Sequence, residues 1–134
     1  MSKSVLYVAN TNEQSVVVGG SLNLGNVIRR CGCASNLSGT NVVSINEPGY
    51  YDVNVSVTAV PTAAGDVTIT LLNNGVVIPG ATATATVAAA GDSANISFES
   101  VVRIFCNANA GTLSLALDGT DANVSNIAMV VKKL

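Results

Sequence analysis

Apolar and polar residues alternate along most of this chain in short bursts, each ended by a cluster of turn-forming residues. The longest burst, YYDVNVSVTAV, sets the pattern. Tyr51, Val53, Val55 and Val57 fall on one side of an extended chain, and Asp52, Asn54, Ser56 and Thr58 on the other, the period of two that a half-buried strand requires. Val67, Ile69 and Leu71 repeat it, as do Leu113, Leu115 and Leu117. Ten segments read as strands: SVLYVA, QSVVV, SLNLGNVI, NVVSI, YYDVNVSVTAV, DVTITLL, TATATVA, NISFESVVRIF, TLSLAL and NVSNIAMVV. The alanines of TATATVA do not make it a helix, because Thr82, Thr84 and Thr86 alternate strictly with Ala83, Ala85 and Val87. Gly-Gly, Pro-Gly, Asn-Asn-Gly and Ala-Gly-Asp steps separate the bursts, residues that supply positive φ or turn back on their own backbone. Many short strands at regular spacing, with no capped helical period, predict an all-β fold, an antiparallel sandwich or barrel. One domain over residues 1–134, ordered from about residue 4, accounts for the pattern.

Two strands depart from simple alternation. In NVSNIAMVV, Ile127, Met129 and Val131 on one side are matched by Val124, Ala128 and Val130 on the other; in ESVVRIF, Val102 and Ile104 oppose Val101 and Phe105. A strand apolar on both faces must be covered twice, and in a small antiparallel sandwich a neighbouring chain is the simplest second cover. Arg103, Phe105, Ala128, Val130, Ile127 and Met129 are therefore the residues expected at a subunit interface. Composition agrees: 134 residues are 49% hydrophobic and only 10% charged, and a surface this short of charge suits one that is partly covered by another subunit.

The same composition narrows the partners. Six basic residues and a net charge of −2 are too few to build a phosphate-tracking groove, so nucleic acid is not expected. No apolar run approaches the ~20 residues of a membrane-spanning helix. The start, MSKSVLYVAN, lacks the apolar core and small-residue cleavage site of a secretory signal, which points to synthesis and retention in the cytoplasm.

Histidine is absent, which removes Ser-His-Asp and Cys-His nucleophiles, histidine zinc sites and the usual near-neutral general base. The eight carboxylates stand mostly beside Gly or Pro in turn contexts, where an acid bonds its own backbone. GDSAN and DGTDAN lack the ligand spacing of a calcium loop, and VVVGGSLNLG lacks a phosphate-binding lysine. Neither enzyme activity, nor a metal, nor a cofactor is expected. What remains is VIRRCGCASNLSG. Cys31 and Cys33 form a Cys-x-Cys rather than a zinc pair, with a lone Cys106 elsewhere. They read as small apolar residues on one face at a strand end; a thiol site is the alternative, with Arg29 and Arg30 supplying positive charge, and a disulfide to Cys106 or to another chain stays open. Arg29, Arg30 and Arg103, in strands otherwise poor in charge, read either as solvated edge residues or as interface ion pairs to a carboxylate such as Glu99 or Asp52.

At NEPGYYDVNVSVT and ITLLNNGVVIPG the chain resembles the trimeric jelly rolls of the tumour necrosis factor and complement globular-head superfamily. Gly49, Tyr51 and Val53 stand where that superfamily has Gly-x-Tyr-x-aromatic, with Val replacing the aromatic; Leu71, Asn74 and Gly75 match its Leu-x-x-Asn-Gly turn, and NIAMVVKKL its apolar final strand. The resemblance implies a TNF-like jelly roll that assembles as a homotrimer. The sequence contains no collagen-like Gly-X-Y stretch, so receptor or complement recognition is not expected to carry over. More narrowly, MSKSVLY-AN, RR-GC--NLSG and AMVV-KL are similar to small proteins encoded in phages and prophages of Gram-positive gut bacteria. That implies a virion structural protein, a head-decoration or fibre-tip component made in the bacterial cytoplasm and carried on the virion surface, with capsid proteins or a host-surface glycan as partners. The alternative is a small lectin-like carbohydrate- or ligand-binding module of a bacterium, for which Tyr7 and Tyr50 are the candidate aromatics.

Overall fold

Burial follows the alternation along most strands in the structure, a computed structural model that describes residues 4–32, 35–104 and 111–134. Among the described residues eleven strands run in chain order: β1 Val5–Asn10, β2 Gln14–Val16, β3 Asn26–Cys31, β4 Ser35–Ser38, β5 Val42–Ile45, β6 Gly49–Pro61, β7 Gly65–Asn73, β8 Val76–Val87, β9 Ala94–Ile104, β10 Gly111–Asp118 and β11 Ala122–Lys133. They form two antiparallel sheets. One has the order β3-β1-β11-β6-β9, with β2 also paired to β11; the other has the order β4-β5-β10-β7-β8. In β6 every second residue from Tyr51 to Ala59 is buried, and Val67, Ile69, Leu71, Leu113, Leu115 and Leu117 face it from the second sheet, all at 0% exposure. This interdigitated layer is the core, and burial of its aliphatic side chains is the main stabilising term.

The spacing of the β6 entry has a physical reason. Tyr51 is fully buried, yet its hydroxyl donates to the carbonyl of Glu47 at 2.6 Å, so the ring fills the core without stranding a polar atom. Burial raises its pKa above the ordinary phenol value, and the nearby Lys133 works against that shift. Lys133 donates to Glu47 Oε1 at 2.8 Å, tying the end of β11 to the same turn.

The sequence pattern misplaces three things. SLNLGNVI is not one strand. Gly19 and Leu22 donate backbone hydrogen bonds to the carbonyls of Leu117 and Leu115, completing the sheet beside β10 where β5 has ended, and Leu22 and Leu24 plug the core. The chain then turns at Gly25 (φ 80°) and crosses to β3 on the other sheet. Second, β4 is short and polar, gives no periodic signal, and forms by pairing with β5. Third, the register of β11 against β6 shifts between Val124 and Asn126, a bulge at Ser125. The extra residue reverses the facing, so Val124 is buried with Ala122 on one side of the bulge and with Ile127, Met129 and Val131 on the other. Val124 therefore belongs to the core and not to the opposite face.

The two outer faces differ in character. That of the five-stranded sheet carries a threonine ladder, Thr68 to Thr84 at 2.8 Å and Thr70 to Thr82 at 3.1 Å, closed by Thr86 donating to Asp66 at 2.6 Å. That of the six-stranded sheet carries an apolar stripe along β1 and β11, with Arg29 and Glu99 at its two edges and the Lys132–Asp52 pair between them.

Candidate functional site

Strand pairing fixes which side chains are neighbours on the outer face of the six-stranded sheet. One row crosses it from edge to edge as Arg29 (β3), Tyr7 (β1), Val130 (β11), Asn54 (β6) and Glu99 (β9). The row on one side is Cys31, Val5, Lys132, Asp52 and Val101; on the other it is Asn26, Ala9, Ala128, Ser56 and Ser97. Tyr7, Val5, Ala9, Ala128 and Val130 are half-buried in the single chain, which leaves an apolar stripe along β1 and β11. Beside it lies a shallow concavity of about 440 Å³, lined by Phe98, Ala128 and Val130 with Asn54, Ser56, Ser97 and Glu99 on its polar side.

At one end of this face Val101 (57% exposed) and Tyr50 (52%) stand proud, with the Arg103 guanidinium carbon 5.6 Å from the Tyr50 ring centre. The β7–β8 hairpin brings Val76 and Val77 alongside to form a smaller hollow of about 230 Å³. Its turn is tight because Asn74 and Gly75 both adopt positive φ, at 53° and 81°. At the other end of the molecule, a polar concavity of about 360 Å³ is lined by Asn10, Asn12, Gln14 and Asn23. Those amides are engaged in holding the Gly25 crossing: Asn10 and Gln14 both donate to the Asn23 carbonyl at 2.9 Å, and Gln14 accepts from its amide.

The charged groups on the face are uneven. Asp52 and Glu99 sit together near the β9 edge; a hydrogen bond with Asp52 and the repulsion of its charge hold the Glu99 carboxyl above the usual range, while Asn54 and Lys132 pull it down. Lys132 Nζ, on an exposed side chain, lies 4.0 Å from the largely buried Asp52 carboxylate, at the outer limit of an ion pair.

Of the interface residues expected from the sequence, Ala128 and Val130 lie at the centre of this face and Arg103 at its β9 edge. Ile127 and Met129 do not lie on it. Both are wholly buried between the sheets, since alternation past the Ser125 bulge turns them inward, so they are core residues and have no surface to offer a partner. Phe105, Cys33 and Cys106 lie outside the described residues. Cys31 does end a strand, as the pattern implied, but it is exposed rather than packed, because β3 is an edge strand exposed along its whole length. No group of three or more acidic or thiol ligands converges among the described residues. Cys31→Ser is expected to shift the melting temperature by less than about 2 °C, since exposed positions rarely contribute more than about 0.5 kcal/mol; thermal denaturation in reducing buffer measures it. Tyr7 and Val5 enter the face, and Asn54 joins the row of Tyr7, through register, which no single-strand pattern reveals; Val76 and Val77 lie outside the strands read from the sequence and come alongside through the β7–β8 pairing.

Two stacked antiparallel sheets joined in this order, with first and last strands adjacent at the middle of one sheet, define a TNF-like jelly roll. No protein-family model matches the sequence, and no curated protein is detectably similar to it. Solved structures of similar shape include murine APRIL (TM-score 0.73, 13% identity, covering 99% of this chain and 100% of that one). The globular domain of zebrafish complement 1qA superposes with a TM-score of 0.69 at 10% identity, over 97% of this chain and 95% of that one. The Eiger TNF of S. frugiperda gives 0.69 at 8% identity, over 98% and 91%. At such identities the likeness is one of fold.

Proposed function

We propose that this chain is a non-enzymatic structural or recognition module that self-associates as a closed homotrimer through the outer face of its six-stranded sheet. The observation that carries the reading is the half-buried apolar stripe of Val5, Tyr7, Ala128 and Val130, flanked by Val101, on a sheet whose opposite face already forms the core. In a single chain this stripe meets water; a second copy would cover it, and closed cyclic assemblies are the common way for identical chains to do so. The five-stranded sheet, with its threonine ladder and loops, would then face outward. The role we assign is that of a phage or prophage virion component, a head-decoration or fibre-tip protein made in the bacterial cytoplasm and presented on the particle. That step rests on the similarity of short sequence motifs to phage-encoded proteins.

Solution mass by light scattering, with and without reductant, tests the reading. A mass of three chains in both buffers is expected. A monomer at all concentrations overturns the self-association reading and turns attention to a lectin-like module, for which the exposed Tyr50 ring beside Arg103 offers a stacking platform; glycan-array binding by that monomer would establish it.

A further inference from the structure

The outer row of the six-stranded sheet has opposite charges at its two ends. We propose that Arg29 of one copy pairs with Glu99 of the next, so that the contact between copies runs head to tail and closes into a ring. The inference rests on the self-association reading above and specifies which edges meet.

Arg29 lies opposite Tyr7, and Tyr7 opposite Val130; the same pairing continues to Asn54 and Glu99. Strands in a sheet are about 4.8 Å apart, so the two ends of the row are four spacings, roughly 19 Å, from one another. Arg29 and Glu99 cannot meet within one chain. Within its own chain Arg29 donates to the carbonyl of its neighbour Ile28, at 2.9 Å, and Glu99 interacts with Asp52 and Asn54, while the ion pairs of Lys132 with Asp52 and Lys133 with Glu47 involve neither. Arg30 differs. It stands opposite the buried Leu6, and its Nε donates to the Ser35 carbonyl at 3.1 Å, which ties β3 to the other sheet. Of these two arginines, Arg29 is the one that stands on the outer face.

At the opposite edge, Glu99 has Asp52 beside it and Lys132 as the nearest cation, which leaves a local surplus of negative charge. A guanidinium arriving from a second copy would offset that surplus through a charge-assisted hydrogen bond to the carboxylate. A contact in which each copy offers one edge and receives the other is heterologous, and heterologous contacts between identical chains form rings when the rotation closes. The contact should also respond to acidity. In the free chain Asp52 favours protonated Glu99, with Lys132 and Asn54 opposing; arginine favours the ionised form. Assembly then releases a proton, strengthens as pH rises through the titration of Glu99, and weakens below it.

The test compares the unmodified chain with Arg29→Glu, Glu99→Arg and the double exchange, by sedimentation over a range of concentrations at neutral pH. Each single reversal places like charges together and should raise the concentration of half-assembly by about tenfold or more; the double exchange should recover most of that loss. Both positions are exposed, so melting curves on dilute, unassembled protein should match the parent and separate a lost contact from a lost fold. Singles that assemble like the parent, or a double no better than the worse single, overturn the pairing while leaving self-association intact. A parent that forms only pairs of chains overturns the ring. A parent that never assembles overturns the self-association reading itself.

Discussion

Aspartate at position 129 is expected to prevent folding, whereas aspartate at position 130, one residue further along, should leave the fold standing and disrupt assembly. Met129 is wholly buried between Val8 on β1 and Val55 on β6, with no polar group to receive a charge. Desolvating an unpaired carboxylate there costs several kcal/mol, against a total stability of about 5–15 kcal/mol for an ordinary domain. Val130 points the other way, half-exposed beside Tyr7 and Asn54. Met129→Asp should therefore lose its β-sheet circular dichroism or its soluble yield. Val130→Asp should keep the spectrum and a melting temperature near the parent's, but run as single chains on sedimentation, because a carboxylate would enter the apolar stripe close to Asp52 and Glu99. Met129→Leu, which keeps the core filled, should behave as the parent in both measurements. If Val130→Asp assembles normally, this face is not the one that copies share.

The second large effect is expected at Gly25. Its φ of 80° lies where residues with a side chain are disfavoured, and a Cβ there would overlap the carbonyl oxygen of Ala9 and lie 2.8 Å from Cα of Asn10. Neither obstacle is a flexible side-chain tip; both are backbone of β1, paired on both sides. Gly25→Ala must push the crossing segment off β1, and the amide bonds from Asn10 and Gln14 that fix Asn23 go with it. A cost of at least about 3 kcal/mol follows, near or above 10 °C in melting temperature for a domain of this size. Gly91 provides the control. It has a φ of 90° with nothing within 4 Å of a built Cβ, so Gly91→Ala should show the left-handed penalty alone, about 1 kcal/mol. Thermal melts of the two variants, side by side, separate strain from collision.

The contrast between these positions explains what could be read from the chain before its fold was known. Strand identity and core facing in β6, β7 and β10 follow from period-two alternation, because each strand has one face in a dry layer and one outside it. The Thr-Ala alternation of β8 overrode the helical preference of alanine for the same reason. Alternation fails where a residue is inserted. The Ser125 bulge leaves no mark in composition, so alternation places Val124 on the wrong face; it rightly sets Ile127 and Met129 opposite Ala128 and Val130, but taking both faces as interface draws in two residues of the core. Leu22 and Leu24 were legible as apolar but not as a plug, since the backbone of Leu22 bonds Leu115 on β10, far along the sequence, and that of Leu24 bonds Thr40, beyond β4. The candidate face was harder still. Its row from Arg29 to Glu99 draws on five strands from all parts of the chain, and only register brings them into line.

The place of β11 sets the order in which this protein can be made. Being flanked by β1 and β2 on one side and by β6 on the other, it is the strand through which the two ends of the chain are joined. A ribosome releasing the chain from its amino end would deliver β1, β3, β6 and β9 long before the strand that links them, so their apolar faces must wait. Folding then begins late, from contacts widely separated in sequence, on the millisecond-to-second scale typical of such topologies. During that wait the unfinished sheet is the species exposed to mispairing with other nascent chains.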